Sequence, residues 1–253
     1  MDDADKNFMI GRAIKVSPVL DKGATTIESY FPNDYWVDLN TYEGTVSRDD
    51  TKGNEGQTVS LPASWEYVNV HLASGHIVPM HNVTKDGVNS TTELVDFATT
   101  QLVVHPDANL SASGTIYLDD DGLSRTKFEE DKYQYFDITF GEGSLEFIFR
   151  NGTPGKEATS QNEVLEEVLF VRAAELKSYT KACFFQPADE GEDIFQLNVS
   201  YNEEKETLSI KPKGGVVMLI QKVTEIYVFD DSTMDDRCSG DVPEGLSNSA
   251  IGN

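Results

Sequence analysis

A chain of 253 residues with 38% hydrophobic and 10% aromatic side chains can fill one large core or two ordinary ones. Its formal charge of -24, from 44 acidic and 20 basic residues, repels phosphate backbones and anionic lipid, so nucleic acid and membrane surfaces are poor partners. No apolar run approaches the ~20 residues that span a bilayer.

The opening residues, Met1 to Val16, are acidic at the start and contain no apolar stretch ending in a small-residue cleavage site, so they do not read as a signal peptide. Period-2 or β-branched runs follow at Met9–Val16, Thr25–Phe31, Tyr35–Leu39, Thr58–Leu61, Tyr67–Leu72 and His76–Met80. Lys85–Phe97 is poorer in apolar residues and reads as a linker. Strand patterns resume at Gln101–Val104, Thr115–Leu118, Tyr133–Phe140, Leu145–Phe149, Val164–Val171, Lys181–Phe185, Phe195–Tyr201, Thr207–Ile210, Val216–Gln221 and Glu225–Phe229. Gly, Pro, Asn and Asp clusters separate nearly all of them. Short strands at this spacing argue for β-sandwiches or barrels; with the apolar dip at Lys85–Phe97, the expectation is an all-β chain of two consecutive antiparallel β-sandwiches. Glu163–Lys177 could be a helix, but its β-branched and aromatic centre favours a strand. The expected division is 1–88, 89–230 and a disordered acidic tail over 231–253, where large apolar residues nearly vanish.

Five N-x-[ST] sequons, at Asn82, Asn89, Asn109, Asn151 and Asn198, have meaning only in a secretory compartment. Together with the unprocessed-looking start they suggest part of a longer secreted or lysosomal protein whose leader lies upstream. Cys183 and Cys238 are the two cysteines; with Cys238 in a disordered tail, two free thiols are expected. Two distant cysteines and four scattered histidines imply no metal site, and nothing implies a cofactor.

Ordered motifs over residues 8–122 carry a family resemblance. Phe8-Met9-Ile10-Gly11 leads to Pro18-Val19-Leu20; Tyr30-Phe31-Pro32 precedes Trp36-Val37-Asp38. Leu61-Pro62-Ala63, Asn69-Val70-His71-Leu72 and Gly75-His76-Ile77-Val78-Pro79 follow, and then Gly114-Thr115-Ile116-Tyr117-Leu118-Asp119-Asp120-Asp121-Gly122. In order and spacing these resemble the segment that follows the catalytic barrel in family 31 α-glucosidases, with its proximal and distal β-sandwiches. The chain departs from that pattern at Asp34, Val37 and Ala73-Ser74, and carries one extra Asp in the acidic motif. The resemblance implies a non-catalytic C-terminal part of an enzyme that hydrolyses terminal α-glucosidic bonds, with the catalytic (β/α)8 barrel as partner and both catalytic aspartates on an upstream segment.

No catalytic, cofactor or metal residue is therefore assigned. Retaining glycosidases need two carboxyl groups about 5–5.5 Å apart, and the barrel that holds them takes roughly 250 residues of alternating strand and helix; this sequence shows no such alternation. The motif residues read structurally. Pro18 ends a strand, Trp36 is a core ring rather than a sugar platform, Gly75 and Pro79 shape a turn and strand, and His71 and His76 are structural. Asp120 and Gly122 belong to a turn with Asx chemistry, and calcium is disfavoured because Leu123 and Arg125 stand where an EF-hand needs oxygen ligands. The competing function is a stand-alone carbohydrate-binding or adhesion module using Tyr35, Trp36, Tyr42, Trp65 and Tyr67, with α-glucosides or other glycans as ligands.

Overall fold

The computed structural model describes residues 6–66, 68–82, 99–119, 133–151, 164–188, 191–214, 216–220, 223–230 and 238. The predicted linker and most of the tail lie outside these residues. The described elements are strands with two single-turn 3₁₀ helices, Asp50–Lys52 and Ala174–Leu176, so the all-β class holds.

Three layers of different kinds build the molecule. The middle layer is a five-stranded sheet made of β1 (Phe8–Ile10), β2 (Ile14–Ser17), β4 (Trp36–Asp38), β5 (Gly44–Val46) and β7 (Asn69–Ala73), in the order β1-β2-β7-β4-β5. A two-stranded hairpin, β3 (Thr26–Phe31) with β6 (Gln57–Pro62), covers one face. Because side chains alternate across a strand, the same strands serve both neighbours. Trp36 and Ala73 point toward Phe31 and Leu61 of the hairpin, whereas Ile14, Val37 and Leu72 pack with Val78, Val103, Leu169 and Val171 of the third layer.

In place of the expected second antiparallel sandwich, the third layer takes the barrel form that strand spacing also allowed. Its strands are β8 (His76–Asn82), β9 (Thr99–His105), β10 (Ala112–Asp119), β11 (Tyr133–Gly141), β12 (Ser144–Asn151), β13 (Val164–Phe170), β14 (Lys181–Pro187), β15 (Glu192–Asn202), β16 (Thr207–Pro212) and β18 (Glu225–Phe229). They run in the order β16-β15-β14-β18-β12-β11-β10-β8-β9-β13, and β13 pairs back onto β16 through Val168↔Ile210, Leu169↔Ser209 and Phe170↔Leu208. The result is a closed ten-stranded ring, with the short β17 (Met218–Leu219) attached to β13. Two of its pairings, β8 with β10 and β9 with β13, are parallel. Closure leaves no free edge, and an apolar interior including Phe140, Phe170, Phe184 and Ile210 fills the ring.

The predicted run Met9–Val16 is two strands, because Gly11 takes φ +62° and turns the chain between β1 and β2. Gly44–Val46 is a strand with no sequence signal beyond one apolar residue; pairing to β4 makes it one. The segment 164–170 is a strand and not a helix.

The expectation of two free thiols is also overturned. Cys183 and Cys238 form a disulfide across 55 residues, with Cα atoms 5.9 Å apart. Cys183 sits on the outer face of β14, and Cys238 is buried against it among Phe185 and Phe229. Gln196 Nε2 donates to Cys238 O at 2.6 Å. A composition-based reading treats the tail as one solvated unit, but a single cysteine over an apolar strip is enough to pin part of it.

Trp36 is 2% exposed, meets Phe31 edge-on at 5.6 Å and donates from Nε1 to Pro32 O at 3.1 Å. Trp36→Ala should lower stability by about 3–5 kcal/mol, as measured by denaturant unfolding. At Gly114 a Cβ would lie 2.1 Å from Ile77 O, inside the parallel contact of β10 with β8. Gly114→Ala must therefore spread two ring strands, and a loss of about 1–3 kcal/mol is expected in the same measurement.

Candidate functional site

The predicted site residues fall in separate places. Pro18 follows β2 and is half-buried, Pro79 is exposed on β8, and Trp36 lies in the core. Gly75, at φ +72°, forms the turn between β7 and β8. Asn109 and Asn198 are exposed, and Asn198 Nδ2 donates to Pro212 O at 3.2 Å. Asn82 and Asn151 close β8 and β12. Asn89, Asp120 and Gly122 lie outside the described residues, as does Tyr67.

Of the aromatics considered for sugar stacking, only part of the set is available. Tyr35 lies under the Arg172 guanidinium, 3.5 Å from ring centroid to Cζ. Tyr42 is half-buried and donates to Gln101 Oε1 at 3.0 Å. Trp65 is wholly exposed. An open groove of about 630 Å³ lies over β13, β15 and β16, lined by polar groups including Glu167, Asn202 and Lys211. Its Glu167 carboxylate already accepts from Gln101 Nε2 at 2.7 Å and from Ser209 Oγ.

Trp65 belongs to a larger surface. In the register of the middle sheet, Phe8 pairs Val16 and Ser17 pairs Asn69. The segments leaving those positions, 18–20 and 65–68, therefore emerge at one end of the sheet, beside the start of β1. Phe8, Val19, Leu20, Trp65 and Val68 are all exposed there, and Met9 and Ile10 extend the apolar surface along the edge strand. Seven of the ten large apolar residues exposed among the described residues thus occupy one end and edge. Soluble surfaces seldom cluster large apolar side chains this way unless something docks on them.

Behind this end, between the sheet and the β3–β6 hairpin, lies a buried polar cluster that the sequence did not announce. Lys15 pairs His71 and Asp38 pairs the same His71, so the three side chains share one face. Lys15 Nζ donates to Asn7 Oδ1 at 2.9 Å, Ser17 Oγ at 2.6 Å and Ser29 Oγ at 2.5 Å, and sits 4.2 Å from the Phe31 ring centroid. Burial lowers its pKa to about 8. The one available signal was two serines, Ser17 and Ser29, on strands otherwise bearing large residues.

Buried polar side chains among the described residues include Lys15, His71 and His105 but no Asp or Glu. A glycosidase's general acid is typically a carboxyl raised by its surroundings, and no Asp or Glu is buried among the described residues. His71 lies edge-on to Phe31 with neither ring nitrogen partnered among the described residues. His105 shares Leu72 O through Nδ1 at 3.2 Å. Burial pushes each imidazole down to about 4 from the usual 6.5. The unfolded chain therefore takes up protons at a higher pH than the folded one. Stability is fully present above about pH 6.5 and falls as pH drops toward 4. Melting temperatures measured from pH 7 to 4.5 should decline, and His105→Gln should flatten that decline.

The glycosyl hydrolase family 31 C-terminal domain model matches residues 1–78. An α-glucosidase of Hordeum vulgare is 36% identical over 116 residues, 46% of this chain and 12% of that protein. α-Xylosidase 1 of Arabidopsis thaliana is 29% identical over 171 residues, 64% of this chain and 17% of that protein. A crystal structure of a glucosidase II alpha subunit superposes with TM-score 0.69 at 21% identity, covering 89% of this chain and 24% of that one. At that identity the likeness establishes the fold alone. The chain spans less than a fifth of the length of these two curated relatives. Residues 1–78 thus match the C-terminal domain of the family 31 glycosyl hydrolases, and the rest of the chain lies outside that match.

Proposed function

We propose that the exposed apolar end of the middle sheet is where this chain seats against the catalytic barrel of a family 31 α-glucosidase, so that it supports hydrolysis of terminal α-glucosidic bonds without performing it. The observation that carries this reading is the clustering of Phe8, Met9, Ile10, Val19, Leu20, Trp65 and Val68 within residues matched by the family model. A barrel enzyme can bury such a surface, and at ~25 cal/mol per Å² several fully buried large side chains make a stable attachment.

The matched relatives bear the names of an α-glucosidase and an α-xylosidase. One supporting domain serving enzymes of different named substrates fits a role in holding the barrel rather than in selecting the sugar. The finer division into a proximal sandwich ending at residue 88 and a distal one beyond it corresponds, on this reading, to a docking unit and a supporting ring, with β8 common to both. The distal unit's own contacts with glycans remain part of the proposal through the groove over β13, β15 and β16. A secretory location, lysosomal or extracellular, is supported by the Cys183–Cys238 disulfide, since such bonds persist in oxidising compartments. The exposed Asn109 and Asn198 sequons support it further.

The purified chain should release no glucose from maltose or p-nitrophenyl α-glucoside between about pH 4 and 7, because on this reading the positioned carboxyl pair sits on the catalytic barrel. It should self-associate at high concentration through the apolar end. Sedimentation velocity should show that Phe8→Asp with Leu20→Asp restores the monomer while circular dichroism stays unchanged. Self-association undiminished in that double variant would place the sticky surface elsewhere and remove the main support for docking. Turnover abolished by mutating an Asp of this chain would overturn the non-catalytic role.

A further inference from the structure

We propose that Lys15 and Asn7 form a modification site: an intramolecular isopeptide bond between Lys15 Nζ and Asn7 Cγ, made with loss of ammonia, that cross-links the entry of β1 to β2. Asn7 immediately precedes β1, and Lys15 lies on its antiparallel neighbour β2. Phe8 is opposite Val16 and Met9 opposite Lys15, which brings Asn7 beside Ser17 and diagonal to Lys15.

The reacting groups are already in contact. Lys15 Nζ lies 2.9 Å from Asn7 Oδ1, and Ser29 Oγ donates to the same oxygen at 2.8 Å. Two donors on one atom orient the amide with its oxygen inward. A hydroxyl on the carbonyl oxygen draws electrons from Cγ and stabilises the oxyanion formed on attack. Ser17 Oγ closes the circuit, 2.6 Å from Nζ and 2.8 Å from Ser29 Oγ.

The step balances without any outside reagent. The lone pair of neutral Nζ adds to Asn7 Cγ. The Cγ–Nδ2 bond then breaks, and Nδ2 leaves as ammonia, carrying away a proton that Nζ gives up through the Ser17–Ser29 hydroxyls. An amide replaces an amide and nothing is oxidised or reduced. Fixed proximity supplies most of what such a slow reaction needs, and a lysine desolvated among apolar groups is the usual form of an activated amine. Burial that lowers Lys15 to about 8 leaves about a tenth of it neutral at pH 7.

Energetics favour the product. The Lys15 ammonium is 2% exposed, and no carboxylate pairs with it among the described residues. Its contacts are three neutral oxygens and the Phe31 face. The same face carries His71, and Asp38 lies beyond it across β7 and β4. A buried charge without a counter-ion is costly; the isopeptide amide removes the charge and keeps a hydrogen-bonding N–H toward the serines.

Mass spectrometry of the purified full-length chain, reduced and folded, tests this directly. The intact mass should be about 17 Da below the sequence value. Trypsin should leave Lys15–Val16 uncut and yield Asn7–Arg12 joined to Ala13–Lys22. Lys15→Arg, which keeps the cation but is a far poorer nucleophile, should restore the sequence mass and remove the joined peptide. A wild-type mass equal to the sequence value with normal cleavage after Lys15 overturns the proposal. So does a 17 Da deficit located in a linear peptide.

Discussion

The turn at Ser74–Gly75 is the constraint on which the rest of the structure depends. β7 ends at Ala73 in the five-stranded sheet and β8 begins at His76 in the ring, so two residues carry the chain from one layer to the other. Gly75 supplies the positive φ that the reversal requires. Backbone bonds fix it on both sides: Ser74 N donates to Tyr35 O at 3.0 Å, and Ser113 N donates to Gly75 O at 3.0 Å. Ser74 Oγ is held by Asp34 Oδ1 at 2.5 Å. A link this short cannot act as a hinge. It forces the face of Val37 and Leu72 onto Val78 and Val103, and that apolar contact joins the layers.

The two faces of the middle sheet then settle different problems. Toward the ring the contact is apolar and needs no partner chemistry. Toward the hairpin it is mixed, with Phe31, Trp36 and Leu61 at one end and Lys15, Ser17, Ser29, Asn69 and His71 at the other. Buried polar groups are costly unless bonded, and Asn69 Oδ1 and both His71 nitrogens lack a partner among the described residues. The polar end lies directly behind the exposed apolar end, so the layer that is least satisfied internally is also the one presenting an uncovered surface. The ring has buried atoms of the same kind at His105 Nε2 and Gln134 Oε1, but in the middle sheet they gather at one end, beside the exposed apolar surface.

Sequence patterning made the strands legible and left the closure hidden. Alternation in Tyr133–Phe140 or Leu145–Phe149 says which side chains face inward, and the ring interior agrees. It is silent on which edges meet, because Val168↔Ile210 joins positions whose local patterns are equally compatible with an open sandwich. Trp36 and Gly75 were readable because a ring size or a positive φ restricts what can stand there. Lys15 was not: flanked by Ile14 and Val16, it has the look of an outward-facing residue on a half-buried strand. Only the hairpin folding over that face, set by long-range pairing of Thr26–Phe31 with Gln57–Pro62, makes it interior. Cys238 was lost for the same reason, since its neighbours in sequence are polar and its neighbours in space are not.

Charge distribution completes the case for directional docking. On the surface of residues 6–22, Lys6, Arg12 and Lys22 stand against Asp21, three basic groups to one acidic in a chain of -24, while Lys15 is buried. Acidic repulsion acts over roughly a Debye length of 8–10 Å and keeps most of the surface from close approach to a like molecule. Along β1 and β2 the described residues carry more base than acid, and there the exposed apolar side chains are Phe8, Met9, Ile10, Val19 and Leu20. Apolar burial is non-directional by itself; confined to the one end where long-range repulsion relents, it becomes a specific face. On the proposed docking, orientation would follow from this local charge balance as much as from the exposed apolar area.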